Sequence, residues 1–311
     1  MLVALTSIRP AGAEEKRDYS ELEQIALAEL KEKNTPGAAI AVVSGDRAVF
    51  LKGFGVTSVE DGVAVTPDTL FYNGGLSRLF TAAVLVSLSE EGKVDLNAPI
   101  GKYIKGLSPR LSRVTAHQLL VSNAGIKEQH LTRGLVHDTT LSEIVRTWGD
   151  DRIFAEPGKI VSSSHPSYAL AGLLIEELTK KPFADVVRDR IFTPLGMDRS
   201  TYRALIAVTY PFSQGHESEG AAKPKVHRPL AENSVGWPRN SFTSVSDASR
   251  FLLALVNDGK LDGNQALVPA VVAKLSKPYS VNPGAIGEEE GYGLSFSSDN
   301  GHRSLSSNTG W

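Results

Sequence analysis

An α/β (α+β) fold, with helices and strands in largely separate runs, follows from three observations. A segment with helical spacing near the front is followed at once by two apolar runs of strand length. The long middle of the chain carries mainly helical spacing, and two further strand-length runs lie near its end. Helix, hairpin, helices and strands in that order predict a sheet layer packed against helices.

Each element has its own local reason. Between Tyr19 and Asn34, residues Leu22, Ile25, Ala26 and Leu30 recur at helical spacing. Ala38 to Val43 is a continuous apolar run, Ser44-Gly45-Asp46 supplies a turn, and Ala48 to Phe54 predicts the returning strand. From Leu76 to about Leu195 the clearer helices are Thr115 to Ser122, Leu141 to Trp148, Tyr168 to Thr179 and Phe183 to Phe192, punctuated by Pro182 and Pro194. Residues 206–236 are rich in Pro, Gly, His and Ser and predict a long surface loop. A helix is expected from Ser244 to Asn257, capped by Ser244 or Ser246 and closed by Gly259, and a short one from Val268 to Leu275. Tyr292 to Ser297 and His302 to Ser306 predict strands, and Glu288-Glu289-Glu290 a solvated loop.

With 311 residues the chain is long enough for one large or two ordinary domains. A net charge of −2 carries no electrostatic footprint for nucleic acid, so no nucleic-acid partner is expected. The absence of cysteine excludes disulfides and thiolate metal sites. No apolar run approaches the ~20 residues of a membrane span, so no transmembrane segment is expected. His117, His130, His137, His216, His227 and His302 show no metal spacing. No metal or other cofactor is expected. At the front, Leu2 to Ile8 is a short apolar run, and Ala11-Gly12-Ala13 resembles a cleavage site. Residues 1–14 are therefore expected to be a signal remnant or a disordered tail. The first reading places the protein in the periplasm or outside the cell, the second leaves it cytoplasmic.

The most informative stretch is Phe71 to Gly92, FYNGGLSRLFTAAVLVSLSEEG, a Gly-rich turn running into an apolar helix. Further segments follow in order: PGAAIAVVSGD (36–46), HQLLVSNAGI (117–126), EPGKIVSSSHPSYALAGLLIEELTKKPFADVVRDRIFTPLGM (156–197), SFTSVSDASRFLLALVNDGKLDG (241–263), GYGLSF (291–296) and SSNTGW (306–311). In these segments the chain resembles the β-lactamase-related serine hydrolases: class C β-lactamases, penicillin-binding proteins, D-Ala-D-Ala carboxypeptidases and related esterases. The resemblance covers nearly everything from about residue 18. It implies a β-lactamase/transpeptidase-like fold, an antiparallel sheet flanked by helices with a helical domain inserted. The sheet domain would be built by 15–81 and 206–311, and the helical domain by 82–205. It also implies further strands and a helix after the last motif, so the chain is expected to be part of a longer protein.

The resemblance implies a chemistry that these residues lack. The family turn carries Ser-x-x-Lys, in which the serine attacks a carbonyl and the lysine helps take its proton. The matching positions hold Gly75, which has no side chain, and Arg78, which stays protonated and cannot act as a base. The family's Tyr-x-Asn falls on Ser163 and His165, and a serine hydroxyl is a poor proton relay. Its Lys/His-Thr/Ser-Gly falls on Asn308-Thr309-Gly310, without the cation. Ser77 lies roughly 200° round the helix from Gly75 and is expected to point away from the cleft. Arg78 shares the Gly75 face and is expected either to meet a ligand carboxylate or to be an ordinary solvated or salt-bridged arginine.

The expected function is thus an inactive or severely impaired hydrolase homologue that retains a cleft. Gly75, Arg78, Ser163, His165, Asn308, Thr309, Gly310 and Trp311 would line that cleft, and a small carboxylate or a peptide would fill it. The resemblance implies that the backbone N–H groups of Gly75 and Trp311 form the oxyanion hole. Two alternatives stand beside this: an active hydrolase or esterase with a rearranged site using Ser163 and His165, and a structural or interaction module with a vestigial cleft.

Overall fold

A computed structural model describes residues 18–128, 137–218, 223–228, 237–281, 288–299 and 302–306. Helix α1 (Ser20–Glu32) leads into the antiparallel hairpin β1 (Gly37–Ser44) and β2 (Arg47–Gly55), whose register shifts between Val42 and Val43. Strand β3 (Phe71–Asn73) runs directly into α2 (Gly75–Glu90). Next come α3 (Ala116–Leu120), opened by a capping box of Thr115 and Gln118, then α4 (Thr140–Val145) and α5 (His165–Thr179). Helix α6 (Phe183–Val187) continues into a π turn over Arg188–Phe192, and α7 (Ala204–Ala207) follows.

Strands β4 (His216–Glu217) and β5 (Lys225–Val226) form a short ladder, and β6 (Ser241–Thr243) pairs antiparallel with β3. Helix α8 (Val245–Val256) begins where Ser244 Oγ accepts the Asp247 amide at 3.1 Å. The ladder β7 (Lys260–Leu261) and β8 (Asn264–Gln265) precedes α9 (Pro269–Leu275). The last four strands are β9 (Pro278–Val281), β10 (Glu288–Gly291), β11 (Ser295–Asp299) and β12 (His302–Ser306). They form an antiparallel sheet in the order β12-β11-β10-β9.

The core is organised around α2. Every residue from Gly75 to Val86 is buried, because the stretch is apolar on all faces apart from Ser77, Arg78 and Thr81. A helix without a polar stripe gains most when neighbours surround it. Helices α5, α6 and α9, the π turn, and the 3₁₀ turn Trp237–Arg239 pack against it. Phe80 meets the rings of Phe192 and Phe251 edge-on, at 5.2 and 5.0 Å between centroids.

Helix ends differ from the periodicity by a few residues, as end fraying and caps dictate. The Thr115 to Ser122 segment ends as a helix at Leu120, and Ser122 takes φ 57°. Two expectations are corrected. Glu288-Glu289-Glu290 is not a solvated loop: it is strand β10, paired with β9 on one side and β11 on the other. Ladder bonds are made by backbone, so a run of carboxylates does not forbid a strand. Tyr292 to Ser297 is not one strand: Tyr292, Gly293 and Leu294 form a turn, with Gly293 at φ 77°, and β11 starts at Ser295. Of the expected 206–236 loop, the described part includes β4 and β5, and residues 219–222 and 229–236 lie outside the described residues.

One buried carboxyl yields a prediction. Glu176, on the last turn of α5, accepts the Phe183 amide at 2.9 Å and so caps α6. Burial, only partly opposed by that bond, pushes its pKa up to about 7. A carboxyl with a raised folded pKa binds its proton more tightly when folded, so its unfavourable contribution grows from pH 4.5 to about 7 and persists above. Glu176→Gln keeps the acceptor and removes the charge. It is expected to add about 1–3 kcal/mol of stability at pH 8 and almost none at pH 4. Urea titrations at the two pH values check this, and an equal gain at both would show that charge burial is not the cause.

Candidate active-site cleft

The cleft is built on the start of α2. Strand β6 holds β3 in register, with Asn73 opposite Ser241, and Asn73 Nδ2 donates to the carbonyls of Phe71 at 2.8 Å and Thr243 at 3.2 Å. Gly74 then opens the helix without a side-chain cap. Ser77 lies on the inner side of this turn, fully buried, 2.8 Å from Asn73 O and 2.6 Å from Ser241 Oγ. Thr81 Oγ1 reaches Pro238 O at 2.5 Å, and Tyr202 OH lies 3.3 Å from Ser77 O. Ser77 therefore clamps the turn to β6.

Arg78 is 6% exposed. Its Nη1 donates to Ser163 Oγ at a long 3.5 Å, and its guanidinium carbon lies 5.9 Å from the centre of the Tyr168 ring. Among the described residues, its buried Nε has no hydrogen-bond partner. Among the described residues no carboxylate lies within ion-pairing distance of Arg78. The structural salt bridge is therefore not formed among them, and the guanidinium sits beside Ser163. Gly293 closes the turn from the opposite side: a Cβ there would lie 2.8 Å from Leu79 N and 2.9 Å from Arg78 C.

The second wall is the start of α5. Ser164 is its cap, accepting the Ser167 amide at 3.2 Å, so Ser163 lies just outside the helix and His165 is its first residue. Tyr168 OH donates to Leu120 O at 3.0 Å, and burial, partly opposed by the Arg78 charge, pushes its pKa up to about 12. That phenol is a structural group, not a proton relay. Among the described residues Ser163 Oγ bonds only to Arg78, and no bond joins it to His165.

The structure supplies an acid partner for His165. Glu128 Oε1 lies 2.9 Å from His165 Nδ1, and the His165 amide donates to Oε1 and Oε2 at 3.3 and 3.1 Å. Burial works to raise the Glu128 pKa, but the His165 bond, the His165 charge when the ring is protonated, and then the charge of Arg239 outweigh it and hold Glu128 below the usual glutamate value. Arg239 Nη1 lies 2.7 Å from His165 Nδ1 and 3.4 Å from Glu128 Oε2. Burial, and then the Arg78 charge, pull the Arg239 pKa below the ordinary arginine value. Arg239 is placed there because its turn sits tight on α5, where a Cβ on Gly172 would come within 2.3 Å of Pro238 Cγ. Neither Glu128 nor Arg239 carries a local signal: they meet His165 from 37 and 74 residues away.

Asn308, Thr309, Gly310 and Trp311 lie outside the described residues, as does His130. His117, on α3, pairs its Nδ1 with Tyr292 OH at 2.8 Å, and Tyr292 stacks on Tyr279 at 4.1 Å. Among the described residues no three His, Asp or Glu side chains are grouped to hold a metal ion, and no helix is long and apolar enough to cross a membrane.

Comparison with known proteins agrees with this geometry. The chain is 28% identical over 250 residues to Penicillin-binding protein 4 of Amycolatopsis lactamdurans, covering 78% of this chain and 65% of that one. It is 25% identical over 215 residues to Protein flp of Staphylococcus aureus (strain MW2), covering 67% and 43%. The chain thus spans 43% to 65% of the length of these curated relatives. The octameric penicillin-binding protein homologue from Pyrococcus abyssi superposes with a TM-score of 0.79 at 21% identity, covering 94% of this chain and 74% of that one, which carries the fold. A family model described as Beta-lactamase matches residues 22–311, and so includes the α2 turn, the α5 start and the terminal sheet. A sequence match of that extent makes this chain a member of the Beta-lactamase family.

Proposed function

We propose that this chain is a catalytically silent member of its family whose cleft binds a small carboxylate or a peptide carboxylate. The observation that carries the reading is the pair at the start of α2: Gly75 at the nucleophile position, and a buried Arg78 whose Nε has no partner among the described residues. Without a nucleophile no acyl bond forms, and a guanidinium accepts no proton. An arginine buried without a counter-ion is costly, and an incoming carboxylate would lower that cost. The N-terminus of a 16-residue helix adds about half a positive charge in the same place.

A rearranged hydrolase centred on Ser163 gains an acid partner for His165 in Glu128, but it lacks the Ser163–His165 bond that would activate the serine. One experiment separates these readings. The protein is incubated with a fluorescent penicillin or a phosphonate probe and its intact mass is measured. The unmodified mass is expected. An adduct on Ser163 would establish the rearranged hydrolase and overturn silence. Binding is tested separately by calorimetric titration with N-acetylglycine, a mimic of a peptide carboxyl terminus. Arg78→Ala is expected to weaken it at least tenfold, and equal affinities would remove Arg78 from the site.

A further inference from the structure

His165 Nδ1 carries two contacts that one protonation state cannot serve. It lies 2.9 Å from Glu128 Oε1 and 2.7 Å from Arg239 Nη1. An imidazole nitrogen presents either an N–H or a lone pair. As a lone pair, Nδ1 accepts from Arg239 and faces the Glu128 oxygen, acceptor against acceptor. As an N–H, it donates to Glu128 in a charge-assisted bond and faces the Arg239 hydrogen, donor against donor. Each state satisfies one neighbour at the expense of the other.

Glu128 is the fixed neighbour. Both its oxygens accept from the His165 amide, at the N-terminus of the 15-residue α5 where a negative charge is favoured. Arg239 is the movable one: its side chain is 21% exposed and its other contact, to Glu128 Oε2, is long at 3.4 Å. It also shares the cleft with Arg78, and these two like charges bear on each other and on Tyr168. An anion between the two guanidiniums would offset that repulsion.

We propose that the cleft grips a ligand carboxylate between Arg78 and Arg239, and that closing this grip takes up one proton on His165. The inference rests on the carboxylate-binding reading above and adds a second arm and a proton to it. When the ligand takes Arg239 Nη1, Nδ1 loses its donor and is left facing Glu128. A proton from solvent then completes the Nδ1–H to Glu128 bond. No covalent bond changes, and the buffer supplies the proton. Among the described residues the charged groups in contact with His165 include Glu128 and Arg239; Arg78 bears on Arg239, and Arg78 and, from β10, Glu290 bear on Tyr168. Arginines keep their protons, burial raises the Tyr168 phenol and Glu128 is held below the usual glutamate value, and the geometry assigns the proton to Nδ1, the atom whose donor has left.

The test is calorimetric titration of the whole chain with N-acetylglycine at pH 8 in HEPES and in Tris, whose ionisation enthalpies differ. The expected result is binding with an apparent enthalpy that shifts between the buffers by the equivalent of between half a proton and one proton taken up. Affinity is expected to rise several-fold from pH 8 to pH 6, because uptake and affinity are linked. Arg239→Gln is expected to weaken binding at least tenfold and to abolish the buffer dependence. His165→Gln is expected to abolish both the buffer dependence and the rise in affinity between pH 8 and pH 6. In ¹⁵N spectra the His165 ring is expected to change from the neutral Nε2–H tautomer to the doubly protonated form on ligand addition. Binding that depends on Arg78 but shows no buffer dependence, or an unchanged His165 ring signal, overturns this inference and leaves the carboxylate reading standing. No binding in any buffer overturns both.

Discussion

Gly75→Ser alone will leave nitrocefin hydrolysis at background, and the combined change Gly75→Ser, Arg78→Lys, Ser163→Tyr will raise it above background. Loss of the key members of a catalytic unit costs on the order of 10⁶ in rate, and such losses are not additive. A hydroxyl restored at position 75 still needs a group to take its proton. The neighbour one turn on is a guanidinium 3.5 Å from Ser163, and neither group does that work. Lysine at 78 and a phenol at 163 would supply an amine with an accessible proton equilibrium and a relay facing it. The scaffold around them is already in place, since Ser77 and Asn73 hold the turn from beneath without using residue 75. Burst acylation followed by mass spectrometry checks both variants. Rapid acylation of Gly75→Ser alone would falsify the assignment of the base.

The second large effect is on stability. Gly293→Ala is expected to destabilise the fold by about 3 kcal/mol or more, through left-handed backbone strain and a clash with α2. Its φ is 77°, and an added Cβ would lie 2.8–2.9 Å from backbone atoms of Arg78 and Leu79, which have no rotamer to give way. Gly45→Ala is the control. Gly45 has φ 63° in the β1–β2 turn, with nothing within 4 Å of the added atom, so it isolates the backbone cost of about 1–2 kcal/mol. The excess at Gly293 measures how tightly the β10–β11 turn is seated on the helix that carries Arg78. Equal denaturation midpoints for the two variants would mean that this contact does not hold the sheet to the helix.

What was legible in the chain follows from how local each signal is. The β1–β2 hairpin, α8 with its Ser244 cap, and α5 were readable because period, turn and cap all lie within a dozen residues. Resemblance pointed to Gly75, Arg78, Ser163 and His165, and of these Arg78 and Ser163 meet. Their surroundings were not. Glu128 and Arg239 reach His165 only after the chain has folded, and no spacing rule relates residues 74 apart. Strand β10 was misread because its glutamates mask a strand whose pairing is made by backbone.

The burial of α2 has a consequence for synthesis. Its sequence is apolar on all sides, so it cannot shield itself as an isolated amphipathic helix would. The elements that cover it come later in the chain: α5, the Trp237–Arg239 turn and finally α9, which ends at Leu275. At ribosomal speeds of about 5–20 residues per second, roughly 10–40 s separate the emergence of Glu90 from that of Leu275. Through that interval LFTAAVLVSL lacks part of its cover on the nascent chain. It is the segment on which a holdase chaperone should crosslink, and truncations ending before α9 should aggregate through it.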